Sequence, residues 1–514
     1  MSPENKSIVK TRAGKIEGYE ECGLFVFKGV PYAEPPVGAL RWFPPQPVKP
    51  WDGVRSAKKF GPSALQNPMP GVFGTIELNH QSEGCLYLNV WTPGLDNVRR
   101  PVFIWIHGGG YVSGGSELPV YDGSKLAARG NMVVVTINYR LGIFGFMSLN
   151  DATNGRIPST GNQAILDQQF AMKWVRDNIE AFGGDPGNVT IAGESSGGRS
   201  VYAHLASPTA RGLFQKAIVQ STAACKLVMP QNAAQEAEEI METLGVKASD
   251  IDAIQKIPTA RLLELQKKKI ANPDKSTAIR PVRDFKVFID DPLRSIIDGS
   301  AWSIPILIGC TTEETRIQVA LYPDKNLLKM DEAGLMEGCR RIMPTEKTDS
   351  IKKLIEAYRS ARTKRGEPTS PYDLLAVIES DQRFRLPVIK ISDLAHEREQ
   401  TVFSYLFNWK SPLPGVGAAH AVDVPFVFGT NDASYSGAGI EADSFASKVQ
   451  DGWAAFAWKS NPSCESLGEW RHYGDLRRTM VLGKKCYMAQ DPYGEERFAW
   501  LSISEINQIP RWLL

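Results

Sequence analysis

Serine, glycine and histidine fall in patterns along this chain that fit acyl transfer. Gly193-Glu194-Ser195-Ser196-Gly197 is a GxSxG elbow. It follows the β-rich run Val189 to Ala192 (VTIA) and precedes Arg199 to Leu205, a segment able to form a helix. Glycine on each flank lets a strained turn lift the serine above a sheet edge, and the amides that open the next helix favour developing negative charge. His107-Gly108-Gly109-Gly110 directly follows Val102 to Ile106 (VFIWI). It has the form of an oxyanion hole, with the amides of Gly109, Gly110 and Ser196 as the expected donors. The bland alternative is a flexible glycine turn. A phosphate cradle is not indicated, because the glycines fit neither GxxxxGK[ST] nor GxGxxG.

A serine hydroxyl is a weak nucleophile until a base takes its proton. Of the six histidines, His107 belongs to the glycine turn, His80 and His472 lack a strand-end setting, and His204 and His396 sit in helical patterns. His420 lies in a small-residue loop, Gly415 to Ala421, shortly after the apolar run Thr401 to Trp409. It is the expected base, on what reads as a mobile loop. The acid should fall between serine and histidine, since elbow folds of this kind run in that order. Ile304 to Gly309 leads into Cys310-Thr311-Thr312-Glu313-Glu314. On these residues alone Glu313 and Glu314 are equal choices, and surface charge is the alternative for either.

Such groups need a rigid frame. Val102 to Ile106, Met132 to Ile137 and Val189 to Ala192 are continuous apolar runs, as suits strands buried on both faces. Gln163 to Phe182 carries apolar residues at helical spacing and stops at Gly183-Gly184-Asp185-Pro186. Strands are also expected at Ala217 to Gln220, Ile304 to Gly309 and Thr401 to Trp409, with a helix from Ala233 to Leu244 closed by Gly245. Strand and helix alternating in this way mean an α/β protein with a central, mostly parallel sheet flanked by helices. No repeat or linker divides the chain. A single catalytic domain over residues 1–514 is expected, with helical insertions roughly at 229–303 and 322–396.

With Lys+Arg 59 against Asp+Glu 57, the net charge of +2 gives no field to draw the chain onto nucleic acid. The basic run Lys267-Lys268-Lys269 reads as the solvated face of a helix. Met1 to Lys10 is polar with no apolar stretch behind it, and no segment reaches about 18 uninterrupted apolar residues. A cytoplasmic chain with no membrane contact is expected. Seven scattered cysteines, with no CxxC pair, indicate neither zinc nor a disulfide framework. Sequons at Asn5-Lys6-Ser7 and Asn188-Val189-Thr190 read as chance. No cofactor is called for, the partner is a small-molecule substrate, and monomer and dimer fit equally.

Several further motifs resemble the type-B carboxylesterases, the family of the cholinesterases and bacterial p-nitrobenzyl-type esterases. Phe27 to Ala33 (FKGVPYA) and Leu40-Arg41-Trp42 are similar to its opening, and Ser82 to Val90 (SEGCLYLNV) to its SEDCLYLNV signature. Asn138 to Gly142 (NYRLG), Gly161-Asn162, Asp167-Gln168 and Phe182 to Asn188 follow in family order. Gly417-Ala418-Ala419-His420 resembles the histidine loop, with Val424 to Phe428 behind it. The likeness runs over nearly the whole chain. It implies an α/β-hydrolase fold with helical insertions over the active site, and a serine carboxylesterase working through an acyl-enzyme.

Laid on the family's GTNxDEG turn, Gly309 to Thr315 (GCTTEET) places the acid at Glu314, with Glu313 as a neighbour. The resemblance also implies supporting roles for Glu194 and Ser221 and a salt bridge between Arg41 and Glu83. Tyr111 and Phe73 are offered as substrate-binding residues, the latter beside a lid at Met69-Pro70-Gly71, and packing is the alternative for each. Four positions depart from the pattern: Ser196 stands for alanine, Thr315 for glycine and Gly84 for aspartate, and the cysteine that would pair with Cys85 is missing. These departures imply a hydroxyl beside the oxyanion, an altered acid turn, and an enzyme without the cholinesterase disulfide. Rival readings are the same triad acting on an amide, carbamate or lactone, or a non-catalytic binding module of the same fold.

Overall fold

The computed structural model describes residues 7–74, 80–222, 225–271, 279–301, 303–323 and 326–503. Asn5 of the first sequon lies outside them. The chain divides into two compact units, one of residues 1–218 and 227–292, the other of 219–226 and 293–514.

In the first unit the strands β1 (Tyr19–Glu21), β2 (Leu24–Pro31), β3 (Tyr87–Thr92), β4 (Arg100–Ile106), β5 (Val133–Ile137) and β6 (Gly184–Glu194) lie in the order β1-β2-β3-β5-β4-β6. The pairs β5–β4 and β4–β6 are parallel, and those from β1 to β5 are antiparallel. Every residue of β4 and β5 is buried. That burial explains why both read as unbroken apolar runs rather than alternating ones. The expected helix is α1 (Gln163–Asn178), prolonged by a 3₁₀ turn to Phe182 and ended by Gly183 at φ +75°. Arg140, just past β5, forks onto the buried carboxylate of Asp167 on α1 at 2.7 and 2.8 Å. This pair explains why an arginine follows the strand and an aspartate faces it from the helix.

After β6 come α2 (Ser196–Leu205) and the strand β7 (Lys216–Gln220), along which the chain leaves this unit. The stretch expected as an insertion contains α3 (Pro230–Leu244), ended by Gly245 at φ +69°, and α4 (Thr259–Ile270). Their apolar faces share a cluster with Trp42, Phe144 and Leu149. Lys267 and Lys268 are exposed on α4, as the solvated-face reading requires, whereas Lys269 is half-buried and pairs with the buried Glu236 at 2.9 Å.

In the second unit β8 (Ile306–Thr311), β9 (Val402–Phe407) and β10 (Arg478–Leu482) are parallel neighbours, and β11 (Tyr487–Gln490) closes antiparallel on β10. β8 begins two residues later than expected because Pro305 has no N–H to give the ladder. Between β8 and β9 run α5 (Glu332–Ile342), α6 (Thr348–Lys364), α7 (Pro371–Ser380) and α8 (Leu386–Glu397). A π-turn over Asp381–Arg385 joins α7 to α8. Among the described residues no helix is long and apolar enough to cross a membrane.

Candidate active site

Ser195 stands between the end of β6 and the first residue of α2, at φ +58° and ψ −122°. The strain therefore sits on the serine itself. Sequence reasoning put the freedom on the flanking glycines, but neither has a positive φ, and space is what demands them. A Cβ on Gly197 would lie 2.0 Å from the carbonyl oxygen of Ile106, and one on Gly193 2.6 Å from the carbonyl carbon of Gly197. Backbone packed that closely leaves the serine to absorb the turn.

The His107 turn presses against this elbow. A Cβ on Gly108 would meet the Glu194 carbonyl oxygen at 2.9 Å and Ser195 Cβ at 3.2 Å. Gly109 (φ +108°) and Gly110 (φ +65°) are exposed, and among the described residues no acceptor takes the N–H of either. The next amide, Tyr111, donates to Ser196 Oγ at 3.2 Å. The extra hydroxyl that departs from the family pattern is thus bound to the glycine turn. Tyr139 donates its hydroxyl to the His107 carbonyl at 2.7 Å, in the same turn. Ser196→Ala is expected to lower kcat about 2- to 10-fold at unchanged KM, the worth of one hydrogen bond in positioning. Steady-state kinetics on an ester substrate check this.

His107 is buried, stacked on Tyr139 at 4.5 Å, and its pKa is pushed down to about 4 by desolvation. Tyr111 is fully buried against Phe146 (4.9 Å), with Ser200 donating to its hydroxyl at 3.2 Å. Phe73 is half-buried, edge-on to Tyr121 at 6.4 Å. Glu194 is buried behind the elbow. Arg41 and Glu83 form the expected ion pair, and Arg41 also donates to the Ile257 carbonyl at 2.6 Å.

In the second unit the two residues expected as acid and base are in contact. Glu314 is buried on a 3₁₀ turn just past β8, and its Oε2 lies 2.5 Å from His420 Nδ1. Its Oε1 accepts from the Thr311 amide at 2.7 Å, and its carbonyl accepts from the His420 amide at 3.0 Å. Residue 315 lies within the 3₁₀ turn and has no positive φ, so threonine is accommodated where the family pattern has glycine. Its amide donates to Ser380 Oγ at 3.0 Å and its hydroxyl to the Ala376 carbonyl at 2.9 Å, so the departure ties the turn to α7. Ser221, at φ +46°, donates its amide to the Gly309 carbonyl at 2.8 Å, at the base of the same turn.

The other histidines are occupied elsewhere. His204 is buried, its Nε2 2.8 Å from Gln168 Oε1, and burial lowers its pKa to about 3. His80 pairs with Glu117, His396 reaches Asp475 at 3.2 Å, and His472 packs on Phe403 at 4.5 Å.

The histidine loop is held down, contrary to its reading as mobile. The Glu313 amide donates to the Ala418 carbonyl and the Ala418 amide to the Glu313 carboxylate, the Ser411 amide donates to the Gly417 carbonyl at 2.8 Å, and Tyr435 donates its hydroxyl to the His420 carbonyl at 2.6 Å. The loop's small residues mark close backbone packing. Phe384, on the π-turn, lays its ring 5.1 Å from the imidazole. Sequence reasoning missed Phe384, Tyr435 and Ser380, which reach the turn from distant segments with no local signal. It also missed Arg316, for which the Glu313/Arg316 spacing of an i,i+3 ion pair was available.

Parallel strands with crossover helices, a serine elbow after a strand and a carboxylate–imidazole pair past later strands define an α/β-hydrolase. The sequence model of the carboxylesterase family matches residues 5–499. The chain is 34% identical over 498 residues to para-nitrobenzyl esterase of Bacillus subtilis (strain 168), covering 95% of this chain and 97% of that one. It is 32% identical over 538 residues to carboxylesterase 1C of Rattus norvegicus, covering 98% and 95%. Its fold is similar to the crystal structure of a Geobacillus stearothermophilus carboxylesterase at a TM-score of 0.84, with 34% identity and 96% and 100% of the two chains covered. The chain belongs to the carboxylesterase family and is a carboxylic ester hydrolase with the α/β-hydrolase fold.

Proposed function

We propose that Ser195 is the nucleophile, His420 its general base, and Glu314 the acid that orients the base. The observation that carries this is the 2.5 Å contact of His420 Nδ1 with the buried Glu314 carboxylate. A carboxylate there keeps the imidazole proton on Nδ1, so Nε2 carries the lone pair and is the basic nitrogen. Nε2 takes the Ser195 proton as Oγ attacks the ester carbonyl. The tetrahedral oxyanion is received by the amides of Gly109, Gly110 and Ser196, an assignment supported by the two exposed glycine amides, which have no acceptor among the described residues. Collapse expels the alcohol, protonated by His420, and leaves Ser195 acylated. Water then repeats the sequence and releases the acid.

One catalytic domain carries this chemistry, a reading supported by the family match over residues 5–499. The substrates include carboxylic esters of the nitrobenzyl kind, in line with a relative named para-nitrobenzyl esterase. The setting is the cytoplasm, a reading supported by seven scattered cysteines with no CxxC pair and by the missing upstream partner for Cys85 in the sequence. The test is hydrolysis of p-nitrophenyl esters from acetate to octanoate, beside the anilide of the best acyl group. Ester turnover with a chain-length optimum and little anilide turnover is expected. Anilide turnover at a comparable rate would move the reading to an amidase.

A further inference from the structure

We propose that Glu313, Arg316 and Asp373 form a charged clasp that positions the His420 loop against the acid turn. The proposal rests on the reading of His420 as the base and adds positioning residues to it. Two backbone bonds join the segments directly: the Glu313 amide donates to the Ala418 carbonyl and the His420 amide to the Glu314 carbonyl, each at 3.0 Å. The Glu313 side chain reinforces them. Its Oε2 accepts from the Ala418 amide at 3.0 Å, and its Oε1 accepts from Arg316 Nε at 2.9 Å. Arg316 then reaches outward on both remaining nitrogens, donating through Nη1 to the Gly415 carbonyl at 2.9 Å and through Nη2 to Asp373.

Asp373 is the anchor. It lies in the first turn of α7, where its Oδ2 accepts from the amide and hydroxyl of Ser370 in a capping box. The guanidinium also lies over the Tyr372 ring, 5.7 Å from its centre. Glu313 and Arg316 are both buried, so their charges act at low dielectric and in fixed geometry.

The histidine loop is shaped around this group. A Cβ on Gly417 (φ +61°) would fall 2.3 Å from Glu313 Oε2 and 2.9 Å from Arg316 Cδ. Glycine at 417 therefore leaves room for the carboxylate, and the carboxylate in turn holds the amide one residue on. From Ala418 the chain has two residues left to place the imidazole. Ala421, immediately after it, is held at φ +65°, a conformation an alanine adopts only when its surroundings over-determine it. The planar arginine fork binds the turn, the loop and a helix cap at once.

Glu313 and Arg316 act through His420 and the loop backbone. Their removal therefore affects the chemical step and leaves substrate binding alone. The test compares Arg316→Met, Glu313→Ala and Glu313→Gln with wild type and with His420→Ala, all full-length, on one p-nitrophenyl ester, together with thermal unfolding. Misplacement by about 1 Å costs up to about 10²-fold, so Arg316→Met and Glu313→Ala should lower kcat about 10- to 100-fold with KM within about twofold. Glu313→Gln, which keeps an acceptor for the Ala418 amide, should recover most of the loss, and it also covers the case in which the alanine variant does not fold. In the same variants the downfield proton resonance of the His420 Nδ1–H bond should shift or broaden. Wild-type kcat and an unmoved resonance in the three variants, with only a lower melting temperature, would overturn the clasp. If His420→Ala itself retained wild-type activity, the underlying triad reading would fail instead.

Discussion

Ser195→Ala is expected to lower kcat on p-nitrophenyl esters by about 10⁴-fold or more, with KM little changed. The expectation follows from what Oγ alone supplies. Without it there is no acyl-enzyme, and the remaining groups can only polarise the carbonyl and lend a base to water. The elbow predicts that the loss occurs without unfolding. Alanine removes only the hydroxyl, and the strained φ of +58° is imposed by the packing of Gly193 and Gly197 on neighbouring backbone. Activity above the background of about 10³- to 10⁴-fold over water would have to come from a different nucleophile. Circular dichroism alongside the kinetics separates a chemical loss from a structural one.

His420→Ala carries the second large effect, and its size relative to the first is the informative quantity. Nucleophile and base act as a unit, so the fall in kcat should be about as deep as for Ser195→Ala, about 10⁴-fold or more, and the double variant should be no worse than either single one. Independent contributions would multiply. Removing the acid should cost less than removing either of those two, but Glu314→Gln should do more damage than simple removal, for a specific reason. Thr311 donates its amide to Oε1 at 2.7 Å, so the glutamine carbonyl settles there and turns its NH₂ toward Nδ1. The imidazole is then driven to the wrong tautomer, with its proton on Nε2. Glu314→Ala, which imposes no tautomer, should be the milder of the two, and kcat for the pair decides it.

The frame was legible where burial makes its own pattern. Strands β4 and β5 are buried at every residue and announce themselves as apolar runs, and α1 carries both its periodicity and its glycine stop. The elbow was legible because its glycines answer to a steric demand that admits nothing larger. The choice between Glu313 and Glu314 was not available from adjacent carboxylates alone and came from the resemblance to a family turn. The structure puts Glu314 on the imidazole and Glu313 on the loop backbone, two tasks that one-residue spacing cannot distinguish.

Other features had no local signal. The positive φ of Ser195, Ser221 and Ala421 is imposed by neighbours distant in sequence, and so is the burial of Tyr111 against Phe146 and Ser200. Small residues before His420 resemble a flexible loop in sequence, and the packing of Glu313 and Arg316 against Gly417, at φ +61°, explains why that residue is small.

The central claim, acylation of Ser195, is tested most directly by trapping. Wild-type protein quenched in acid during turnover of a p-nitrophenyl ester, digested and sequenced by mass spectrometry, should carry one acyl group on Ser195 and none in Ser195→Ala. An acyl group on another residue, or continued turnover by Ser195→Ala with no adduct, would contradict it.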